Sequence, residues 1–304
     1  MTSSPSDHNN DGNYAPMQLD IFEHSRDVVL RNAVIDALRQ REAGACARAL
    51  TKLAAEYAAD PLIPAFGLLC QKLHSPIPNP ISREAATTVL QETGGAVTAA
   101  ARAVFGRSAQ AWLSPVWAEL AAAIADYPFD PDNEALHAGP LLLRAERWAD
   151  AVKPIENIAS WRRQPAPLAF MIQARCRIES FDSIWPLLAE LAWMAPQRAQ
   201  VLAPMLTLPE LERLLRDFDA EFEGDGTPQD FAWFPAWSLI VDKRLAEATK
   251  LAQSGADTQP ERCTRIVLTL LTLERQGRHA ELVEGRRKLR EAQPALFARY
   301  MQDR

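Results

Sequence analysis

Apolar residues recur every three or four positions along most of this chain. That interval is the period of an α-helix with one buried face, whereas the alternation typical of β-strands is almost absent. We therefore predict an all-α fold of roughly a dozen helices, each about ten to twenty residues long. The clearest apolar series are Leu30, Val34 and Leu38, then Ala49, Leu53 and Tyr57, and then Leu68 and Leu73.

Proline, glycine and aspartate separate the predicted helices. Gly44 divides the first two, Asp60-Pro61 precedes the third, and a proline-rich loop covers residues 75–82. Ser82 is the predicted N-cap of the helix after this loop. Helices joined by such short turns pack antiparallel, so we expect either a helix-hairpin solenoid or an irregular helical bundle. Further breaks fall at 127–131, 164–167, 195–196 and 224–228.

Small residues about twelve positions apart indicate repeated hairpins. The series are Ala37, Ala49 and Pro61, then Gly139 and Ala151, and, near the same register, Ala280 and Pro294. This spacing resembles the roughly 34-residue tetratricopeptide-like α-hairpin repeat. The resemblance implies a shape and says nothing of a ligand. The aromatic positions of that pattern are not filled, and Pro140 falls inside the first helix of the second hairpin, so we expect degenerate repeats.

Composition divides the chain into four parts. Residues 1–17 are polar, so we expect a disordered tail, and residues 18–24 form a candidate docking peptide. Residues 25–223 form the helical-repeat region. The turn at 224–228 joins an acidic stretch to an aromatic one and is the predicted seam to a C-terminal helical subdomain, residues 224–304.

The overall composition indicates a folded, soluble protein. A chain of 304 residues, 48% of them hydrophobic, can bury a substantial core. A net charge of -6 and a pI near 5.5 oppose direct binding to nucleic acid or an anionic membrane, because such binding needs excess Lys and Arg. The first residues lack the features of a secretory signal or transit peptide, and no apolar run is long enough to span a bilayer. We therefore expect a cytoplasmic protein.

Cysteines and histidines are scattered along the chain. The cysteines lie far apart within apolar helical patterns, which predicts reduced thiols in the core. No two histidines have the i, i+4 spacing of metal ligands, and no phosphate loop or nucleophile motif is present, so we expect no metal, no cofactor and no enzymatic activity. The residues are Cys46, Cys70, Cys176 and Cys263, and His8, His24, His74, His137 and His279.

Residues 18–22 read Gln18-Leu19-Asp20-Ile21-Phe22. This pentapeptide resembles the Gln-Leu-(Ser/Asp)-Leu-Phe peptide by which bacterial replication and repair proteins dock on the ring-shaped DNA sliding clamp. The resemblance implies that Gln18 bonds at the rim of the clamp pocket, while Leu19 and Ile21 pack on its apolar walls. Asp20 would face solvent or a polar edge, and Phe22 would fill the deep subsite. Three buried apolar side chains, at about 1.5 to 3 kcal/mol each, give roughly micromolar affinity after the ordering cost.

The same residues also have a purely structural interpretation. Asp20 is a candidate N-cap, with Glu23 three residues later at the spacing of a capping box. Leu19, Ile21 and Phe22 would then fold back onto the first helix. The two interpretations are compatible if the segment can detach.

Residues 231–237 form the densest aromatic cluster of the chain. Within it, Trp233 and Trp237 stand four apart on one face of a helix. Such a pair either lines a groove that binds a peptide or ligand, or buries its rings against a neighbouring helix. The sequence leaves both interpretations open.

Two charged stretches are better explained by solvation than by binding. Residues 217–226 alternate acidic side chains as a calcium loop does, but an EF-hand needs Gly where Phe222 stands and Glu where Pro228 stands. The basic run 286–290 has the charge to receive a phosphate. Cations near a helix end also complement its dipole, and nearby glutamates dilute the positive field.

Our leading functional hypothesis is a non-enzymatic helical-repeat adaptor that docks on the bacterial sliding clamp through Gln18–Phe22 and tethers a second protein. The alternative is a general protein-protein interaction scaffold without clamp contact, which grips its partner near Trp233 and Trp237. A third hypothesis is an α-helical enzyme whose active site joins residues distant in sequence, and no motif supports it.

Overall fold

The computed structural model describes the backbone of residues 15–253 and 255–302, and the side chains of residues 26–253 and 255–302. Every regular element in these ranges is a helix, so the predicted all-α class is confirmed. No helix in the described ranges is both long and apolar enough to cross a membrane. Contacts between Cα atoms divide the chain into two compact units, Met1–Glu119 and Leu120–Arg304.

The first unit consists of successive helices joined by short turns. α1 (Ala15–Arg39) packs against α2 (Ala43–Glu56), and α2 packs against α3 (Ile63–His74). The predicted break at Asp60-Pro61 is confirmed, whereas Gly44 is not a break but the second residue of α2, because the chain turns at 40–42. The helices are α1 (Ala15–Arg39), α2 (Ala43–Glu56), α3 (Ile63–His74), α4 (Arg83–Glu92) and α5 (Thr98–Phe105), and α6 (Ala109–Ala123) begins in this unit.

The inner face of α1 holds the first three helices together. Val34 and Leu38, both predicted from the apolar spacing, are fully buried. Arg31 on α1 forms an ion pair with Asp60, whose carboxylate also accepts a hydrogen bond from the backbone N–H of Leu62 at 2.8 Å. The buried carboxylate therefore ties α1 to the start of α3.

The proline-rich loop ends as predicted. Ser82 caps α4, since its Oγ accepts a hydrogen bond from the N–H of Ala85 at 3.2 Å. A π-helical turn, Thr93–Val97, then joins α4 to α5. Turns of this kind are uncommon within helices and are enriched at functional sites.

A disulfide joins Cys46 on α2 to Cys70 on α3. The prediction of reduced thiols is therefore wrong for this pair. Packing of the two helices brings the Cα atoms to 6.0 Å, within disulfide reach, although 24 residues separate them in sequence. The prediction stands for Cys176 and Cys263, which are free and buried, and burial raises the pKa of Cys263 to about 11.

The second unit has a large apolar core, to which the helices Pro165–Arg175, Phe181–Met194, Phe234–Val241 and Gln259–Gln276 contribute most. Its helices are α7 (Ala138–Arg144), α8 (Trp148–Glu156), α9 (Pro165–Arg175), α10 (Phe181–Met194), α11 (Pro196–Leu202), α12 (Pro209–Glu221), α13 (Phe234–Val241), α14 (Leu245–Lys250), α15 (Gln259–Gln276), α16 (His279–Ala292) and α17 (Pro294–Gln302).

Aromatic packing crosses the predicted seam at 224–228. Phe218 on α12 lies edge-on to Phe234 and Trp237 on α13, with ring centroids 5.4 Å apart in each case. Aromatic pairs in this geometry stabilise a core beyond their buried area. Residues 224–228 thus connect two helices inside one unit.

The helix pairs α1–α2, α7–α8 and α15–α16 pack against each other along the chain. In the second pair, a Cβ added to Gly139 would lie 2.6 Å from Cγ1 of Ile155, so the glycine allows α7 and α8 to approach closely. Pro140 does not break α7, because it lies in the first turn, where the helix does not need its N–H.

Candidate functional site

The predicted docking peptide lies within the backbone of α1. Because α1 begins at Ala15, Asp20 stands inside the helix and not at the N-cap position that the capping box predicts. The side chains of Gln18–Phe22 lie outside the described residues. The side chains of α1 are described from Arg26 onward, and among them those of Val28 and Val29 are 46% and 64% exposed.

The two tryptophans proposed for a groove lie in the second unit. Trp237 is buried in its core, and Trp233 is partly buried and packs against the same core. Phe218 contacts Trp237 edge-on, as described above. Core packing therefore accounts for the four-residue spacing of the pair.

The end of the acidic stretch forms a turn that the carboxylate of Asp230 holds in place. Asp230 accepts backbone hydrogen bonds from Asp225, Gly226 and Thr227, at 3.1, 2.7 and 3.1 Å. The carboxylate thus satisfies amides at the start of the next helical segment. In the described parts of the chain, no group of three or more His, Cys, Asp or Glu side chains is placed to hold a metal ion.

The basic run on α16 is balanced by its own neighbours. Arg287 pairs with Glu284 at 2.7 Å and with Glu291 at 2.6 Å. The guanidinium of Arg286 lies 5.7 Å from the ring centroid of Tyr300, in cation–π contact. These contacts fit the interpretation of a solvated helix face.

α9, the end of α10 and α11 enclose an open groove of about 650 Å³ on the second unit, which we call the α9–α11 groove. Such a volume lies within the usual range of ligand and peptide sites. Its lining residues are Ala169, Phe170, Gln173, Met194, Ala195, Pro196, Gln197, Arg198, Val201, Leu202, Met205 and Gln229.

The groove exists because Pro196 ends α10. Proline has no N–H to continue the helix, and it disfavours a helical conformation in the preceding residue. Ala195 accordingly has φ -147° and ψ 71°, and the chain turns into α11. The sequence predicted this break, but not the groove that the turn opens.

The outer face of the groove is unusually apolar for an exposed helix. Val201 and Met205 stand four residues apart, and each is 65% exposed. Phe170, Met194 and Leu202 line the adjoining wall. Large exposed apolar side chains beside a cavity are typical of protein interaction sites, and methionines adapt to the shape of a partner.

Polar side chains surround this apolar centre. Arg198 forms a bidentate ion pair with Glu134, with both N–O distances 2.9 Å. Gln173, Gln197 and Gln229 add amide groups. Because Arg198 is the one ionisable side chain on the described lining, the groove offers packing and hydrogen bonding rather than acid–base chemistry.

No protein-family model, no curated protein and no solved structure matches this chain. The docking peptide and the α9–α11 groove are therefore the two features of this chain that point to a function. Sequence patterns missed the groove because its walls come from separate helices whose contacts depend on long-range packing.

Proposed function

We propose that this protein is a non-enzymatic, bacterial, cytoplasmic adaptor that docks on the DNA sliding clamp and holds a second protein. The observation that carries the proposal is the pentapeptide Gln18-Leu19-Asp20-Ile21-Phe22. Val28 and Val29, exposed on α1, stand two helical turns after positions 21 and 22 and would extend an apolar docking surface. Short peptides of this kind bind through a few apolar anchors.

The mechanism would be tethering. A clamp-bound adaptor raises the effective concentration of its second partner near DNA, without contacting DNA itself. The acidic charge of the chain, -6 overall, fits such an indirect role.

The α9–α11 groove is the proposed site for the second partner. Its apolar centre and polar rim have the anatomy of a protein interface, and apolar grooves of this kind accept the apolar face of an amphipathic helix. Three pairs of consecutive helices pack against each other, and Gly139 allows a close approach in one pair, which supports a degenerate tetratricopeptide-like arrangement, an architecture whose surfaces bind proteins.

Two single-residue variants test clamp docking on the full-length protein. Phe22→Ala removes the anchor for the deep subsite, and we expect it to weaken binding to purified clamp by at least about tenfold. Asp20→Ser is the matched control, because the motif accepts Ser at this position and affinity should be kept. Equal binding by the wild type and Phe22→Ala would contradict the proposal.

A general scaffold without clamp contact is the second candidate, and the α9–α11 groove favours it. Val201→Glu should abolish capture of a groove-bound partner, because burying a carboxylate against Met205 and Leu202 is costly. Val283→Glu is the matched control, since Val283 is 68% exposed on α16 and lies outside the groove. Loss of capture in Val201→Glu, in a protein that never binds the clamp, would support the scaffold alone.

A further inference from the structure

A second cavity, of about 480 Å³, lies in the first unit, and we call it the Lys72 pocket. α3 supplies Leu68 and Lys72, the proline-rich loop supplies Ile77, and α4 supplies Val89 and Glu92. Its walls are mainly apolar, and its volume is within the range of small-molecule sites.

The pocket has rigid walls. The N–H of Ile77 donates a hydrogen bond to Oε1 of Glu119 at 2.7 Å, and the side chain of Ile77 is buried. The π-helical turn Thr93–Val97 places Ala96 and Val97 on the opposite wall. Both walls are thus fixed before any ligand arrives, which lowers the cost of binding.

Lys72 is the one basic group on this lining, and it is half-buried. No hydrogen bond or ion pair within 4.0 Å joins its amine to a described residue, although Glu119 and Glu92 act on it at longer range. Burial lowers the pKa of Lys72, and the two carboxylates oppose this effect only in part. A desolvated amine in an apolar pocket has the properties of a nucleophilic lysine.

We propose that Lys72 binds an apolar aldehyde or ketone as a reversible imine, with the body of the ligand packed on Leu68, Val89 and Val97. Nζ attacks the carbonyl carbon, and a new N–C bond forms. The carbonyl oxygen then leaves as water and takes both amine protons, while Glu92, on the same lining, can carry a proton between nitrogen and oxygen. The step needs no oxidant or reductant, and it does not depend on the proposed adaptor function.

Reductive trapping of the full-length protein tests this proposal. The protein is treated with octanal and cyanoborohydride at neutral pH, and each lysine is scored for adduct by peptide mass spectrometry. Lys52, exposed on α2, is the internal control. We expect Lys72 to be labelled several-fold faster than Lys52, because the pocket holds the aldehyde beside Nζ and a lower pKa leaves more of the amine neutral. Equal or slower labelling of Lys72 would overturn the proposal.

Two variants separate the pocket from intrinsic lysine reactivity. Lys72→Arg should remove the fast adduct and leave labelling of Lys52 unchanged. Ala96→Phe fills the pocket without altering Lys72, and it should reduce labelling of Lys72 to about the level of Lys52. Unchanged fast labelling in Ala96→Phe, in a protein with a wild-type circular dichroism spectrum, would also overturn the proposal.

Discussion

His137 lies buried at the start of α7, where its side chain has a specific backbone partner. Nδ1 accepts a hydrogen bond from the N–H of Gly139 at 3.2 Å, and the ring lies edge-on to Phe129. Burial lowers the pKa of His137. Because the hydrogen bond needs an unprotonated Nδ1, the folded protein favours the neutral imidazole.

This arrangement predicts a loss of stability in mild acid. The pKa of His137 is lower in the folded chain than in the unfolded chain, where it is about 6.5, so protonation favours unfolding. Its contribution is complete above about pH 6.5 and is lost as the pH falls toward the folded pKa. Urea unfolding at pH 7 and pH 5 measures the effect, and His137→Asn, which keeps an N-cap acceptor but does not titrate, should show a smaller decrease. An equal decrease in both proteins would contradict this assignment.

Gly139 lies where α7 and α8 approach each other closely. Gly139→Ala would place a Cβ 2.6 Å from Cγ1 of Ile155, so α7 and α8 must separate. We expect a loss of about 1 to 3 kcal/mol in the free energy of unfolding. Gly67→Ala is the matched control, because nothing lies within 4 Å of its added Cβ and Ala favours the helix. Equal stability of the two variants would show that α7 and α8 are not closely packed.

Local sequence patterns predicted the helices well, but they did not predict which helices contact each other. Ser82 was found as a cap, and Val34, Leu38 and Leu53 as core residues, because capping and apolar spacing depend on neighbours in sequence. The Lys72 pocket, the α9–α11 groove and the Cys46–Cys70 bond were missed. Each joins separate helices, and that pairing is decided by long-range packing.

The disulfide between Cys46 on α2 and Cys70 on α3 determines how many free thiols the unreduced protein contains. Denatured, unreduced protein should show two reactive thiols, Cys176 and Cys263, and reduction should raise the count to four. Closing a loop with a sequence separation of 24 is expected to add about 3 kcal/mol of stability. Four thiols before reduction would contradict the disulfide.

Composition predicted a folded protein and the spacing of apolar residues predicted its all-α class, but the two compact units do not meet at the predicted seam. The predicted seam at 224–228 separates an acidic from an aromatic stretch, yet α12 and α13 on its two sides share one core. The observed units meet in the chain at Glu119 and Leu120, inside α6. Because α6 continues through this boundary, no loop separates the two units in the sequence.

An adaptor is defined by the proteins that it joins, and clamp docking is the first of the two contacts proposed for this protein. The most direct measurement is a calorimetric titration of a peptide covering residues 14–26 into purified bacterial sliding clamp, with the Phe22→Ala peptide alongside. We predict saturable binding of the wild-type peptide with roughly micromolar affinity, and loss of this binding in the Phe22→Ala peptide. Absence of saturable binding up to about 1 mM by the wild-type peptide, and by the full-length protein, would contradict this prediction.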